Sequence, residues 1–283
     1  MMRFADLFTR SVFLLFCALL FSFACNAQLT LPDLNLSELQ REDREKAFDI
    51  RCAAPFATEI TYHEGVLRNH EAVLVDVQNQ ANRSNKLEWE YDIRGKNALG
   101  LTLLLKNFFL PDGAILTVYN SDSSQTQIFS AKDNNSKQIL TIGMISGNTA
   151  RLHYSEISNG KAKGRFQIFT IYQAYKKTHE LPENRPLAFG FGTSLACNIN
   201  INCPGTDSVK NIKRGISRVM MVLKEGVGYC TGNLLNNTNQ DGKPYILTAF
   251  HCQDGYTPMY DFWKFDFKYE STNCLNPIKE PKP

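Results

Sequence analysis

This sequence lacks a strong excess of either positive or negative residues. Its 31 Lys and Arg nearly balance 28 Asp and Glu, leaving a net charge of +3. That is too little to argue for nucleic acid or an anionic membrane as a partner. No long like-charge block interrupts the chain. No heptad run is present, which excludes a coiled coil, and no motif recurs at a fixed period, which excludes a repeat array. A glycine-rich phosphate loop is missing too, so no nucleotide cofactor is expected. Cysteine is unevenly spread. Beyond Cys17 and Cys25 only Cys52 precedes Cys197, and then Cys203, Cys230, Cys252 and Cys274 follow.

What is present is ordinary for a globular protein: 43% hydrophobic and 21% charged residues in a chain of 283. That length has room for two domains, each able to bury a core. At the start, Arg3 and Arg10 precede the apolar run from Ser11 to Ala24, and Cys25 and Ala27 stand where a signal peptidase reads small residues. Residues 1–27 are therefore expected to be a secretory signal cut after Ala27. The alternatives are a lipoprotein cut before Cys25, or a membrane anchor, for which the run is short of the roughly 20 residues of a span. Export to a secreted or periplasmic location leaves no stable anchor after cleavage. It also makes disulfides the expected state of most remaining cysteines.

Residues 28–50 carry L-N-L-S-E-L-Q-R-E-D-R-E-K-A-F, a short amphipathic helix expected to start near Ser37. From about 56 to 175 the texture is strand-like. Runs such as A-V-L-V-D-V, L-G-L-T-L-L-L and R-F-Q-I-F-T-I-Y alternate with turn signals such as L-P-D-G-A and S-N-G-K. Trp89, Tyr91 and Ile93 alternate with Glu90 and Asp92, the pattern of a half-buried strand. Many short strands without a long helix between them predict an all-β fold, an antiparallel β-sandwich over 28–190. His63, His70 and His153 read as surface or core residues. Between about 176 and 196, charges, prolines and glycines suggest an exposed linker open to proteolysis.

Past the linker, C-T-G-N-L-L (Cys230–Leu235) reads as a strand, Asp241-Gly242 as a turn, and P-Y-I-L-T-A-F as a second strand ending at His251 and Cys252. Such a hairpin brings Cys230 near Cys252. A disulfide there would pin the adjacent His251 in one orientation, which a general base requires. His251 could also be a structural histidine. A metal-ligand role has no second His or C-x-x-C pair to support it, and no metal is expected.

These residues resemble a known family. C-T-G-N-L-L followed by L-T-A-F-H-C is similar to the chymotrypsin-like serine proteases, whose catalytic histidine lies in T-A-x-H-C. The likeness is closer to bacterial lysyl endopeptidases, through C-N-I-N-I-N-C-P (Cys197–Pro204), L-L-N-N-T and P-Y-I-L-T-A-F-H-C, and through the cysteine spacing. The resemblance implies that residues 191–283 form the N-terminal part of a chymotrypsin-like double β-barrel, with His251 as catalytic base and proteins or peptides as substrates. It implies the pairs Cys230–Cys252 and Cys203–Cys274, with Cys197 bonded to a later cysteine. L-P-D-G-A-I-L-T-V-Y likewise resembles the β-rich propeptide of such secreted precursors.

A serine-protease triad also needs an aspartate about 45 residues after the histidine and a serine about 140 after it. The sequence reaches only Pro283 and holds no G-D-S-G or G-S-S-G. Asp254, Asp261 and Asp266 read as surface acids. The expectation is thus a secreted serine endopeptidase precursor, here an N-terminal fragment that is inactive by itself. The alternatives are an exported non-enzymatic β-sandwich protein, or a propeptide acting in trans as inhibitor or chaperone. The half-barrel is expected to expose an apolar face.

Overall fold

A computed structural model describes residues 28–70, 72–77, 86–157, 163–176 and 199–275. The expected signal segment, Cys197, the expected linker past Lys176 and the Pro-rich residues 276–283 lie outside these residues. The first described part holds strands β1 (Gln28–Leu31), helix α1 (Leu36–Glu45), β2 (Arg51–His63), β3 (Val66–Asn69), β4 (Ala72–Asp76) and β5 (Lys86–Gly95). It continues through β6 (Gly100–Phe109), β7 (Ile115–Asn120), β8 (Thr126–Phe129), β9 (Ile139–Ser146), β10 (Thr149–Ile157) and β11 (Arg165–Ala174). The last part adds β12 (Ile216–Val222), β13 (Val227–Leu235), β14 (Tyr245–Thr248) and β15 (Lys264–Phe267). The fold is all-β, as the alternating runs predict.

One sheet orders its strands β1-β5-β10-β7-β8, and the main path of a larger one runs β15-β12-β13-β2-β11-β6-β9. Ladders are antiparallel except for β1, which lies parallel to β5. The two sheets face each other across one apolar core. Trp89, Tyr91 and Ile93 of β5 and Leu152 and Tyr154 of β10 meet Tyr62, Leu101, Leu103, Phe166 and Ile168 from the larger sheet. Tyr62 sits at its centre, with ring centroids 4.7 Å from Tyr154 and 5.2 Å from Trp89.

The run L-T-L-L-L in β6 does not alternate because both faces are covered. Leu101, Leu103 and Leu105 enter the core between the sheets. Leu104 points the other way, into a second cluster with Tyr172, Ala174, Met220, Val222 and Val227. The back of the sandwich is thus covered by β12, β13 and their neighbours.

Two local expectations shift. Helix α1 begins at Leu36, one residue early, because Asn35 caps it by accepting from the Glu38 backbone N–H at 3.3 Å. Asp92 is not an outward residue of β5 but is 2% exposed. Its register partner on β10 is Arg151, whose Nε and Nη2 donate to it at 2.6 and 3.0 Å, while Arg94 donates at 2.8 Å. A buried carboxylate survives only with such partners.

Candidate active site

The last described part builds its geometry on the β13–β14 hairpin. Gly232 pairs with Thr248 and Leu235 with Tyr245. The turn between them is set by Asp241, whose Oδ1 accepts from the Lys243 backbone N–H at 3.0 Å and from Asn237 Nδ2 at 2.6 Å. Gly242 follows at φ +72°, a conformation that favours glycine. After β14 the chain tightens into a 3-10 turn at Phe250–Cys252, closed by Cys252 N–H to Ala249 O at 3.1 Å and Gln253 N–H to Phe250 O at 3.1 Å.

Cys252 is buried and disulfide-bonded to Cys230, with the two Cα atoms 6.2 Å apart. His251 therefore stands on a turn held from both sides, with its backbone fixed and its side chain exposed. Its ring nitrogen lies within 4.8 Å of both sulfurs. That trio looks like a metal site, but both sulfurs are consumed in the disulfide, and only a free thiolate makes a good cysteine ligand. What remains is an accessible imidazole on a rigid support, a geometry that can exchange a proton with a bound molecule.

Among the described residues no carboxylate hydrogen-bonds His251. The three nearby acids are placed differently. Asp254 is exposed, and its backbone N–H closes the turn onto Phe250 O at 3.2 Å. Asp261 pairs with Lys137 of the sandwich. Asp266 is no free surface acid: its side chain is 12% exposed and accepts from Arg218 Nε and Nη2 at 3.1 and 2.8 Å. Burial works against the Arg218 charge, but Asp266 and the rings of Tyr229 and Tyr269 outweigh it and raise its pKa. The Tyr269 ring centroid is 3.9 Å from the guanidinium.

A second disulfide, Cys203–Cys274, ties the segment before β12 to the segment after β15. Lys213 Nζ reinforces it, 2.9 Å from Glu270 and 2.7 Å from Asn202 Oδ1. Between this strap and the Cys230 region opens a pocket of about 510 Å³, with Ile201, Val209, Ile212 and Tyr229 among its walls. No sequence signal marks it, because its walls come from four separated stretches. Apolar side chains are also left outside. Leu234, Leu235, Tyr245 and Leu247 of the hairpin, Phe250 beside His251, and Phe265 and Phe267 of β15 are all exposed. Exposed apolar side chains that cluster mark contact surfaces.

No helix among the described residues is long and apolar enough to cross a membrane. No solved structure matches the chain. Residues 191–282, the stretch that carries His251 and both disulfides, match the family model described as lysyl endopeptidase, C-terminal domain, and are similar to that domain.

Proposed function

We propose that the chain is a secreted serine endopeptidase precursor of the lysyl endopeptidase type, with His251 as the general base. The observation that carries this reading is His251 itself, exposed on a 3-10 turn that the Cys230–Cys252 disulfide holds in place. In this reading 1–27 is the export signal, 28–190 the propeptide-like part, and 191–283 the first portion of a two-barrel protease domain. A base so placed takes the proton from a serine hydroxyl as it attacks the peptide carbonyl, then returns it to the leaving amine. The carboxylate that would orient the imidazole and the serine itself are not assigned to any of these 283 residues. We therefore expect residues 1–283 to show no peptide hydrolysis by themselves.

Reading the coding DNA past codon 283 is the direct test. An open frame with an aspartate and a G-x-S-G motif supports the reading, and an immediate stop codon overturns it as a working protease. In the completed protein, His251→Gln lowers kcat on lysyl-amide peptides by about 10⁴-fold or more. Retained turnover in that variant removes His251 from the mechanism. Substrate preference for lysine rests on the family likeness and is checked by comparing lysyl with arginyl and alanyl substrates.

A further inference from the structure

The exposed side chains of the last part contrast with the face that it buries against the sandwich. There β13 adds to the edge of β2, with Val227 opposite Ala53 and Gly228 opposite Arg51. The sequence G-V-G is required by this approach. A Cβ on Gly226 would lie 2.4 Å from Ala53 O, and one on Gly228 would lie 2.6 Å from Ile50 O. Cys52 is buried at the same seam, with its Sγ 3.2 Å from Val227 O.

Beside the strand pairing sits a buried polar clamp. Arg51, 3% exposed, donates to Asp43 Oδ1 at 2.7 Å, to Glu42 Oε2 at 2.9 Å and to Tyr175 Oη at 3.0 Å. Its Nη1 reaches across the seam to Glu225 O at 3.3 Å. Its guanidinium lies 4.8 Å from the Phe48 ring centroid, and Phe48 in turn stacks on Tyr256 at 4.7 Å. Tyr172 donates from β11 to Leu223 O at 2.8 Å. Below these bonds lies the apolar cluster that joins Leu104, Tyr172 and Ala174 to Met220, Val222 and Val227. Separating the two parts would expose that cluster and break the bonds to Glu225 O and Leu223 O, so both sides favour staying together.

We propose that residues 28–176 are a non-covalent partner of residues 199–275, which stay bound to them after the chain is cut anywhere between 177 and 198. The binding surface is the edge of β13 with its two glycines, and the partner is the β2 edge with the Arg51 clamp. The bound sandwich leaves His251 and Phe250 exposed. It therefore holds the hairpin without sealing the site, and the proposal stands whether or not His251 is a base.

The test places a recognition sequence for a site-specific protease between Leu187 and Ala188 of the full chain. After complete cutting, gel filtration reads association, and alkylation of the Cys52 peptide, followed by mass spectrometry, reads the seam. The pieces are expected to co-elute, with Cys52 as slow to react as in the uncut chain. Two separate peaks, with Cys52 alkylated about tenfold faster or more, overturn the proposal. In Gly228→Val the added side chain meets the Ile50 backbone, so the cut pieces are expected to separate. If that variant does not accumulate, Gly226→Ala, whose added Cβ alone meets Ala53 O at 2.4 Å, is the smaller change at the same seam and is read the same way. Pieces that stay together in the variant tested show that the β2–β13 seam is not the binding surface.

Discussion

The sandwich and the disulfide-bonded part solve the same problem by different means. In the sandwich two sheets bury Tyr62, Trp89, Tyr91, Tyr154 and Phe166 between them, and among its described residues there is one cysteine, Cys52, which is unbonded. The 199–275 part has short strands, leaves Tyr245, Leu247, Phe250 and Phe267 exposed, and carries both disulfides. Where a sheet has a second sheet to cover it, burial suffices. Where it does not, crosslinks replace the missing contacts by limiting the unfolded chain. The comparison also explains where chemistry can sit. The crosslinked part keeps His251 in water on a fixed turn, whereas His153 of the sandwich is occupied by Glu88 at 3.0 Å.

The sharpest way to break this comparison is to remove one aromatic from each part. Trp89→Ala leaves a hole against Tyr62 and Tyr154 and is expected to cost about 3–5 kcal/mol in unfolding free energy. Phe250→Ala, at a side chain 73% exposed, is expected to change it by less than about 0.5 kcal/mol. Urea unfolding of the two variants measures both. Equal losses would mean that Phe250 is packed in solution and that the two parts are not stabilised differently.

Reduction acts on the opposite part. The Cys230–Cys252 bond closes a loop of separation 22 and Cys203–Cys274 one of 71, worth about 3 and about 4 kcal/mol by loop-closure entropy. Adding a phosphine reductant is expected to speed amide exchange in β12 to β15 while β5 and β10 keep their protection. Loss of protection in β5 as well would show that the seam couples the parts into one unfolding unit.

How much of this was legible follows the same division. The sandwich strands could be read because one covered face imposes period-2 alternation, as at Trp89, Tyr91 and Ile93. The hairpin could be read because Asp241-Gly242 is a turn of known geometry, and across it the structure joins Cys230 to Cys252. The seam between β2 and β13 could not, since backbone pairing at a sheet edge leaves little trace in side-chain pattern. Its single sequence trace is the glycine pair at 226 and 228, whose meaning depends on what approaches them. Asp92 was misjudged for a related reason. Its burial depends on cross-strand register with Arg151, and register is set by tertiary pairing rather than by the strand's own residues.

That buried cluster offers the next test. Burial raises the Asp92 pKa, but Arg151 and Arg94 outweigh it and hold the carboxyl below its ordinary value of 3.8. A carboxyl depressed in the folded state adds stability that is fully present above the unfolded value and is lost as pH falls through the folded one. Asp92→Asn is expected to cost about 1.5–3 kcal/mol at neutral pH, the range for hydrogen bonds to charged groups. Below the unfolded value the difference from the parent narrows. Melting temperatures of both proteins between about pH 7 and pH 2 measure this, and a gap that stays constant would remove Asp92 as its source.

The smallest effect is expected where the two parts touch through solvent. Lys137 pairs with Asp261 across the boundary, but their side chains are 61% and 53% exposed. Water screens both charges, and ordering two long side chains costs entropy, so the net gain is slight despite the short contact. Lys137→Ala is expected to lower stability by less than about 1 kcal/mol, and added salt should erase even that. The contrast with Asp92 lies in solvation rather than in distance, since both carboxylates have a cation in contact. If Lys137→Ala proved as costly as Asp92→Asn and insensitive to salt, the pair would have to be dry. Thr141 and Phe169 meet Phe262 across the same boundary, so the pair would then belong to the dry contact they form.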